Sequence, residues 1–148
     1  MHISAVMIVK NEAACLTRCL ESLAGVVDEI VVVDTGSTDG TVNIARQYTD
    51  RLFSFPWIND FSAARNFMID CATGDYALMI DADNWLENPD KARGLLQAFM
   101  ERHDPATVGT VRITNPFGAG PDMAVAVEVA PRFFRRDRFR YRGTIHEQ

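Results

Sequence analysis

Tyr76-Ala77-Leu78-Met79-Ile80-Asp81-Ala82-Asp83 is an unbroken apolar run that ends at once in two carboxylates flanking an alanine. A short apolar run bounded upstream by Gly74 and downstream by polar residues suits a strand buried on both faces, as in a parallel sheet covered by helices. The pattern recurs towards the amino terminus. Ile3–Val9 is nearly continuous in apolar residues, and Ala13 to Leu23 then carries them at helical spacing. Glu29–Asp34 repeats the buried strand, Gly36 to Gly40 is turn chemistry, and Thr41 to Tyr48 reads as a short helix. Leu52–Phe55 is a third short strand, Asn59-Asp60 leads into a helix over Ser62–Cys71 with Ser62 as its N-cap, and Gly74 stops it. After Asp83, Pro89 opens a helix running to about Arg102. Strand and helix alternation of this kind predicts an α/β fold with a mostly parallel sheet.

Beyond Pro105 the pattern changes. Val108–Ile113, Val125–Phe134 and Phe139–Ile145 have strand character, with a Pro/Gly-rich link from Asn115 to Pro121, which predicts an antiparallel extension. Arg132, Arg135, Arg136, Arg138, Arg140 and Arg142 are interleaved with Phe133, Phe134, Phe139 and Tyr141. Charge and aromatic stacking together can bind single-stranded nucleic acid. The plainer expectation is a hairpin turning near Asp137 that buries the aromatics and exposes the arginines.

At 148 residues and 47% hydrophobic, the chain suits one core and one domain, with βα units over residues 1–104 and a β-rich segment over 105–148. No apolar run approaches the roughly 20 residues of a spanning helix. The apolar run near Met1 lacks a preceding basic cluster and is interrupted by Lys10-Asn11-Glu12, so a soluble, cytoplasmic chain is expected. Cys15, Cys19 and Cys71 are an odd, sparse set, best read as free and mostly buried thiols. The net charge of −5 hides an asymmetry: residues 1–130 carry 9 basic and 18 acidic side chains, residues 131–148 carry 6 and 2. The acidic body argues against nucleic acid as a partner. A divalent cation would reconcile acidic side chains with a phosphate ligand.

In an open parallel sheet, ligands bind outside the carboxyl ends of the strands. Three of the four strands end there in polar clusters: Lys10-Asn11-Glu12, Asp34-Thr35-Gly36-Ser37 and Asp81-Ala82-Asp83. Any one of them is also ordinary turn and cap chemistry, but their joint placement points to a ligand site. If the chain stays extended, Asp81 and Asp83 point to the same side with little bulk between them, a pair that suits Mg²⁺ or Mn²⁺ shared with substrate phosphates. Asp34 is placed to accept hydrogen bonds from a nucleoside. No G-x-G-x-x-G follows the first strand, and neither a G-x-x-x-x-G-K-[ST] loop nor a G-x-S-x-G elbow occurs, which argues against the usual dehydrogenase, P-loop and hydrolase readings. Arg65 falls in the first turn of its helix, where it suits either an anion or a surface salt bridge.

Val9-Lys10-Asn11-Glu12, Val33 through Thr41, Asp60-Phe61-Ser62-Ala63-Ala64-Arg65-Asn66, and Ala72-Thr73-Gly74-Asp75 through Asp83 together resemble glycosyltransferase family 2, over roughly residues 3 to 90. The resemblance implies a GT-A fold, a nucleotide-diphosphate sugar donor (a UDP sugar first), Mn²⁺ or Mg²⁺, and inversion at the anomeric centre. It implies a nucleotide-binding set of Lys10, Asn11, Glu12, Asp34, Gly36, Ser37, Arg65, Asp81, Ala82 and Asp83. Within that set Asp34 and Glu12 would meet uracil or ribose, Arg65 the base or phosphates, and Asp81 and Asp83 the metal diphosphate. Gly143-Thr144-Ile145-His146-Glu147 resembles a late element of the bacterial cytoplasmic subgroup, which would make His146 a further metal ligand and Glu147 the base; frayed terminal residues are the equal alternative. The acceptor would be a peptide, a lipid-linked saccharide or a glycan, with a homodimer as a further candidate assembly. Family members continue well beyond this length, so a short or truncated member, or a non-catalytic nucleotide-sugar-binding module, is the competing expectation.

Overall fold

The structure is a computed structural model that describes residues 1–117 and 124–143, with side chains described outside 113–128. Among the described residues, six strands and four helices follow in the order β1 (Ile3–Val9), α1 (Leu16–Leu23), β2 (Glu29–Asp34), α2 (Thr41–Arg46), β3 (Leu52–Ser54), α3 (Phe61–Cys71), β4 (Tyr76–Met79), α4 (Pro89–Arg102), β5 (Gly109–Phe117) and β6 (Ala124–Arg135). The strands form one sheet in the order β3-β2-β1-β4-β6-β5. The first four pair in parallel, from Ile3 opposite Tyr76 and Val9 opposite Asp34 outward, and β6 runs antiparallel to both β4 and β5. The α/β expectation, with a mostly parallel sheet and an antiparallel extension, is met.

Alternating side chains of the parallel strands feed two cores. Met7, Val9, Val32 and Leu78 face α1, where Leu16, Cys19, Leu20 and Leu23 recur at i, i+3, i+4 and i+7, and α4, which contributes Leu96, Phe99 and Met100. Val6, Val31, Val33 and Ala77 face α3 through Met68 and Ile69. Both faces of the sheet are covered, which is why the parallel strands read as continuous apolar runs rather than alternating ones. No helix among the described residues is long and apolar enough to cross a membrane.

Three local expectations change. Helix α3 is capped by Asp60, whose carboxylate accepts from the Ala63 amide at 3.0 Å. Ser62 is the second residue of the helix, buried, and its hydroxyl has no partner among the described residues. An aspartate three residues before a free amide takes the cap, and the serine beyond it is left over. Second, no strand forms at 139–143, and 144–145 lie outside the described residues. Strand β6 is already paired on one edge with β4 and on the other with β5, so a returning strand has no free edge beside it. Asp137 instead lies in a turn after β6, closed by the Arg138 amide on the Arg135 carbonyl at 3.1 Å. Third, the period-two burial of aromatics fails because Phe133 and Phe134 are both buried, one in each core.

The amino ends of the strands are tied by a polar network that fixes where β4 begins. The Glu29 carboxylate accepts from Ser4 Oγ, from the Thr73 amide at 2.9 Å and Thr73 Oγ1 at 3.0 Å, and pairs with Arg51 Nε at 3.2 Å. Burial pushes this carboxyl up, but the hydrogen bonds from Ser4 and Thr73 and the Arg51 charge outweigh it and hold it below its ordinary range. The Gly74 amide donates to Ser4 Oγ at 2.9 Å, and its carbonyl accepts from Arg136 Nε at 2.8 Å.

Candidate functional site

In the strand order, β2 and β3 lie to one side of β1 and β4 to the other, so the chain reverses its direction of travel across the sheet between β1 and β4. A crevice outside the carboxyl ends at such a switch point is where open α/β sheets bind ligands. Lys10-Asn11-Glu12 follows β1 and Asp81-Ala82-Asp83 follows β4, one cluster on each side of it.

The loops after β1 and β2 are knitted together. The Asn11 amide donates to Ser37 Oγ at 2.9 Å, the Thr38 amide to Asn11 Oδ1 at 2.7 Å, and the Glu12 amide to Thr41 Oγ1 at 2.8 Å. Asp39 accepts from the Ala13 amide at 3.2 Å and from the Thr41 amide and hydroxyl. Asp34 closes the second loop by accepting from the Gly36 and Ser37 amides at 3.2 Å. Gly36 has φ 116° and Asn11 φ 53°, left-handed backbone suited to glycine and tolerated by asparagine. Lys10, Asn11 and Gly36 are exposed, and Glu12, Asp34 and Ser37 half-buried.

Asp81 and Asp83 do not lie on the extended chain that the sequence suggested. Strand β4 ends at Met79, and the Asn84 amide donates to the Asp81 carbonyl at 2.9 Å, so both aspartates belong to a turn. Ala82 is turned into the core at 3% exposure, which leaves its two neighbours on the open side. Arg132, on β6, donates from Nη2 to Asp81 Oδ2 at 3.0 Å; its side chain is 13% exposed against 49% for Asp81. Arg132 Nη1 is buried with no hydrogen-bond partner among the described residues. Arg65, half-buried on α3, lies with its guanidinium 5.2 Å from the Tyr141 ring centroid. Burial pulls the Arg65 guanidinium down, Tyr141 and Asp81 push it up, and the nearby charge of Arg132 pulls it down again.

Two hollows meet at this ion pair. A small one of about 110 Å³ is lined by Ile8, Phe61, Arg65, Met79 and Asp81. A larger one of about 250 Å³ lies towards β5 and β6, lined among others by Asn84, Trp85, Glu87, Arg112 and Arg132. Trp85 is backed by the Arg18 guanidinium at 3.4 Å from its ring centroid. Asp81 lines the first and Arg132 the second, so the ion pair joins a residue of each.

The family model of glycosyl transferase family 2 matches residues 4–147. The chain belongs to glycosyl transferase family 2. Among its relatives are a TPR repeat-containing protein of Synechococcus elongatus, 50% identical over 57% of this chain and 21% of that protein, and the glycosyltransferase SunS of Bacillus subtilis, 39% identical over 59% and 21%. Among solved structures, Staphylococcus aureus TarS 1–349 in complex with UDP-GlcNAc superposes with a TM-score of 0.58 and 26% identity, over 70% of this chain and 32% of that one. Mycobacterium tuberculosis glucosyl-3-phosphoglycerate synthase with Mn²⁺ and UDP-glucose gives 0.52 and 28%, over 60% and 35%. The chain thus spans about a fifth of those two relatives and about a third of those two structures. Its fold is the GT-A fold of these neighbours.

For a family 2 chain the donor set at Asp81 and Asp83 suits a hard divalent cation. Asp83 is exposed and has no hydrogen bond or ion pair among the described residues, and Asp81 keeps Oδ1 open beside the oxygen held by Arg132. One or two carboxylates completed by phosphates and water are what Mg²⁺ or Mn²⁺ commonly takes. No cluster of three or more His, Cys, Asp or Glu side chains that would enclose a metal exists among the described residues. The nearby thiols stay protonated: burial and the Glu12 carboxylate push Cys15 up to about 11, and burial, then Cys15, Asp81 and Asp83, push Cys19 up to about 12. All three cysteines are free, with Cys19 buried and the other two half-buried. His146 and Glu147 lie outside the described residues. What the sequence missed is Arg132, Tyr141 and the anchoring role of Asn66, which donates to the Tyr141 carbonyl at 3.0 Å and accepts from its amide at 2.8 Å. The only signal for Arg132 was its place among alternating arginines, which says nothing of a partner far along the chain.

Proposed function

We propose that this chain binds a nucleotide-diphosphate sugar, a UDP sugar first, and presents it with a divalent cation for inverting transfer to an acceptor hydroxyl or thiol. The observation that carries the reading is the exposed carboxylate of Asp83, with no hydrogen bond or ion pair among the described residues, two positions from Asp81, which pairs with Arg132 and lines a hollow with Arg65 at the switch point of a GT-A sheet. UDP sugars in the neighbouring structures, and Mn²⁺ in one of them, support it.

In this reading Asp34 and Glu12 accept hydrogen bonds from the nucleoside, and the loops of Lys10-Asn11 and Gly36-Ser37 form the rim around it. Arg65 faces the diphosphate, and Asp83, with the open oxygen of Asp81, holds the cation. When bound, the cation offsets charge building on the departing nucleoside diphosphate. The sugar then points towards the larger hollow, whose open end takes the acceptor: a peptide, lipid-linked saccharide or glycan. Glu147 would remove the acceptor proton and His146 would add a ligand to the cation. The cytoplasm, where nucleotide sugars are made, is the compartment that fits, and a homodimer is the assembly to test.

The test is Mn²⁺-dependent binding of UDP to wild type, Asp83→Asn and His146→Ala. Asp83→Asn should remove most of the metal dependence and His146→Ala a smaller part. Equal Mn²⁺ dependence in wild type and Asp83→Asn would defeat the assignment. Slow metal-dependent release of UDP from a UDP sugar would mark working chemistry, whereas binding without release would identify a nucleotide-sugar-binding module.

A further inference from the structure

We infer that Arg132 is a positioning residue of the donor site: a guanidinium buried on β6 that reaches across to β4 and fixes the Asp81 carboxylate. The inference rests on the donor-site reading above.

The pair is asymmetric. Arg132 is 13% exposed and Asp81 49%, and the two are joined by one 3.0 Å hydrogen bond from Nη2. Nη1 is buried with no partner among the described residues. A guanidinium that leaves a buried N–H unpaired pays a desolvation cost that one charged hydrogen bond to a half-solvated carboxylate offsets poorly, so the charge is a poor device for stability. Removing Arg132 would leave Asp81 able to take up water. Removing the Asp81 charge would strand Arg132 without a counter-ion. The bond does set the direction of Asp81: its backbone sits in a turn rather than in the strand, and its carboxylate has no other hydrogen-bond partner among the described residues. Positioning groups behind a ligand set typically contribute about 10- to 100-fold in affinity or activity.

The experiment is a double-mutant cycle on Arg132→Met and Asp81→Asn, read by thermal melting and by UDP binding with and without Mn²⁺. Arg132→Met should melt at or above wild type and Asp81→Asn below it. Arg132→Met should weaken Mn²⁺-dependent UDP binding by about 10- to 100-fold, with partial recovery in Arg132→Lys, which keeps a charge within reach of Asp81. In the Asp81→Asn background Arg132→Met should change binding no further, because its effect passes through that carboxylate. Wild-type binding by Arg132→Met, a loss that adds in full to that of Asp81→Asn, or failure of Arg132→Met to fold would each overturn the inference. If wild type itself bound no UDP with Mn²⁺, the donor-site reading would fall first and take this inference with it. A normal wild type with an unaffected Arg132→Met would sink the inference alone.

Discussion

Asp34 serves its own loop before it serves any ligand. Its carboxylate accepts from the Gly36 and Ser37 amides at 3.2 Å, holding the turn that places Ser37 against the Asn11 amide. The side chain is half-buried at a strand end, so water can replace it in the unliganded protein. Asp34→Ala is therefore expected to lower unfolding stability by about 0.5–1.5 kcal/mol, the range of one ordinary net hydrogen bond. UDP binding should fall much further than that, because the acceptor that the proposed function gives the nucleoside and the shape of the loop are lost together. Isothermal titration with UDP beside a denaturant melt separates the two, and normal binding would remove Asp34 from the pocket. The sequence exposed this residue because it ends a buried strand in company with the polar clusters after β1 and β4. Arg132 was hidden for the opposite reason: its partner is Asp81, 51 positions away, and no local pattern encodes that contact.

The four parallel strands were legible because each is short, apolar and covered on both faces, so hydrophobic continuity and strand identity coincide. Helix starts were less legible where two capping residues compete, as at Asp60 and Ser62, since only the carboxylate at the right distance from the Ala63 amide can win. Phe139 to Gly143 misled because alternation of arginine and aromatics was read as a strand, while the aromatics are in fact drawn onto α3. The entry to β4 was marked by Gly74, and its necessity is steric. A Cβ there would lie 2.5 Å from Ser4 Oγ, 2.9 Å from the Ser4 nitrogen and 3.0 Å from the His2 carbonyl oxygen. Two of those three are backbone atoms of or beside β1, which cannot yield without moving the strand. Gly74→Ala should therefore destabilise by about 1–3 kcal/mol, the cost of forcing extra volume into packed structure. Because β4 leads directly into Asp81, UDP binding should weaken in proportion at temperatures near the new melting point and recover on cooling. A melting temperature equal to wild type would show that the amino end of β1 is softer than its network of hydrogen bonds implies.

The molecule is closed by a segment that leaves the sheet. After β6 the chain turns at Arg136–Arg138 and lies over α3, where Phe139 and Tyr141 pack into the second core. Asn66 grips it with a reciprocal pair, 2.8 Å from the Tyr141 amide and 3.0 Å to its carbonyl, and Arg140 adds an exposed pair with Asp70 at 3.1 Å. That grip brings Tyr141 beside Arg65. The motif Asp60 to Asn66 thus joins three tasks on one helix: the cap at Asp60, the guanidinium at Arg65 and the anchor at Asn66. Asn66→Ala deletes both bonds of the anchor and should lower stability by about 1–3 kcal/mol, two ordinary hydrogen bonds' worth. Hydrogen exchange at the Tyr141 amide should rise well beyond what that global loss explains, since the segment is free to lift while the sheet stays folded. Nucleotide binding, which in the proposed function depends on the strand ends and Asp83, should weaken only modestly. Release of UDP from a UDP sugar should fall more steeply, because in the proposed function the base and a further cation ligand lie just beyond this anchor. If Tyr141 exchanged no faster in Asn66→Ala than in wild type, packing of Phe139 and Tyr141 would be sufficient to hold the segment, and the asparagine would owe its place to Arg65 beside it.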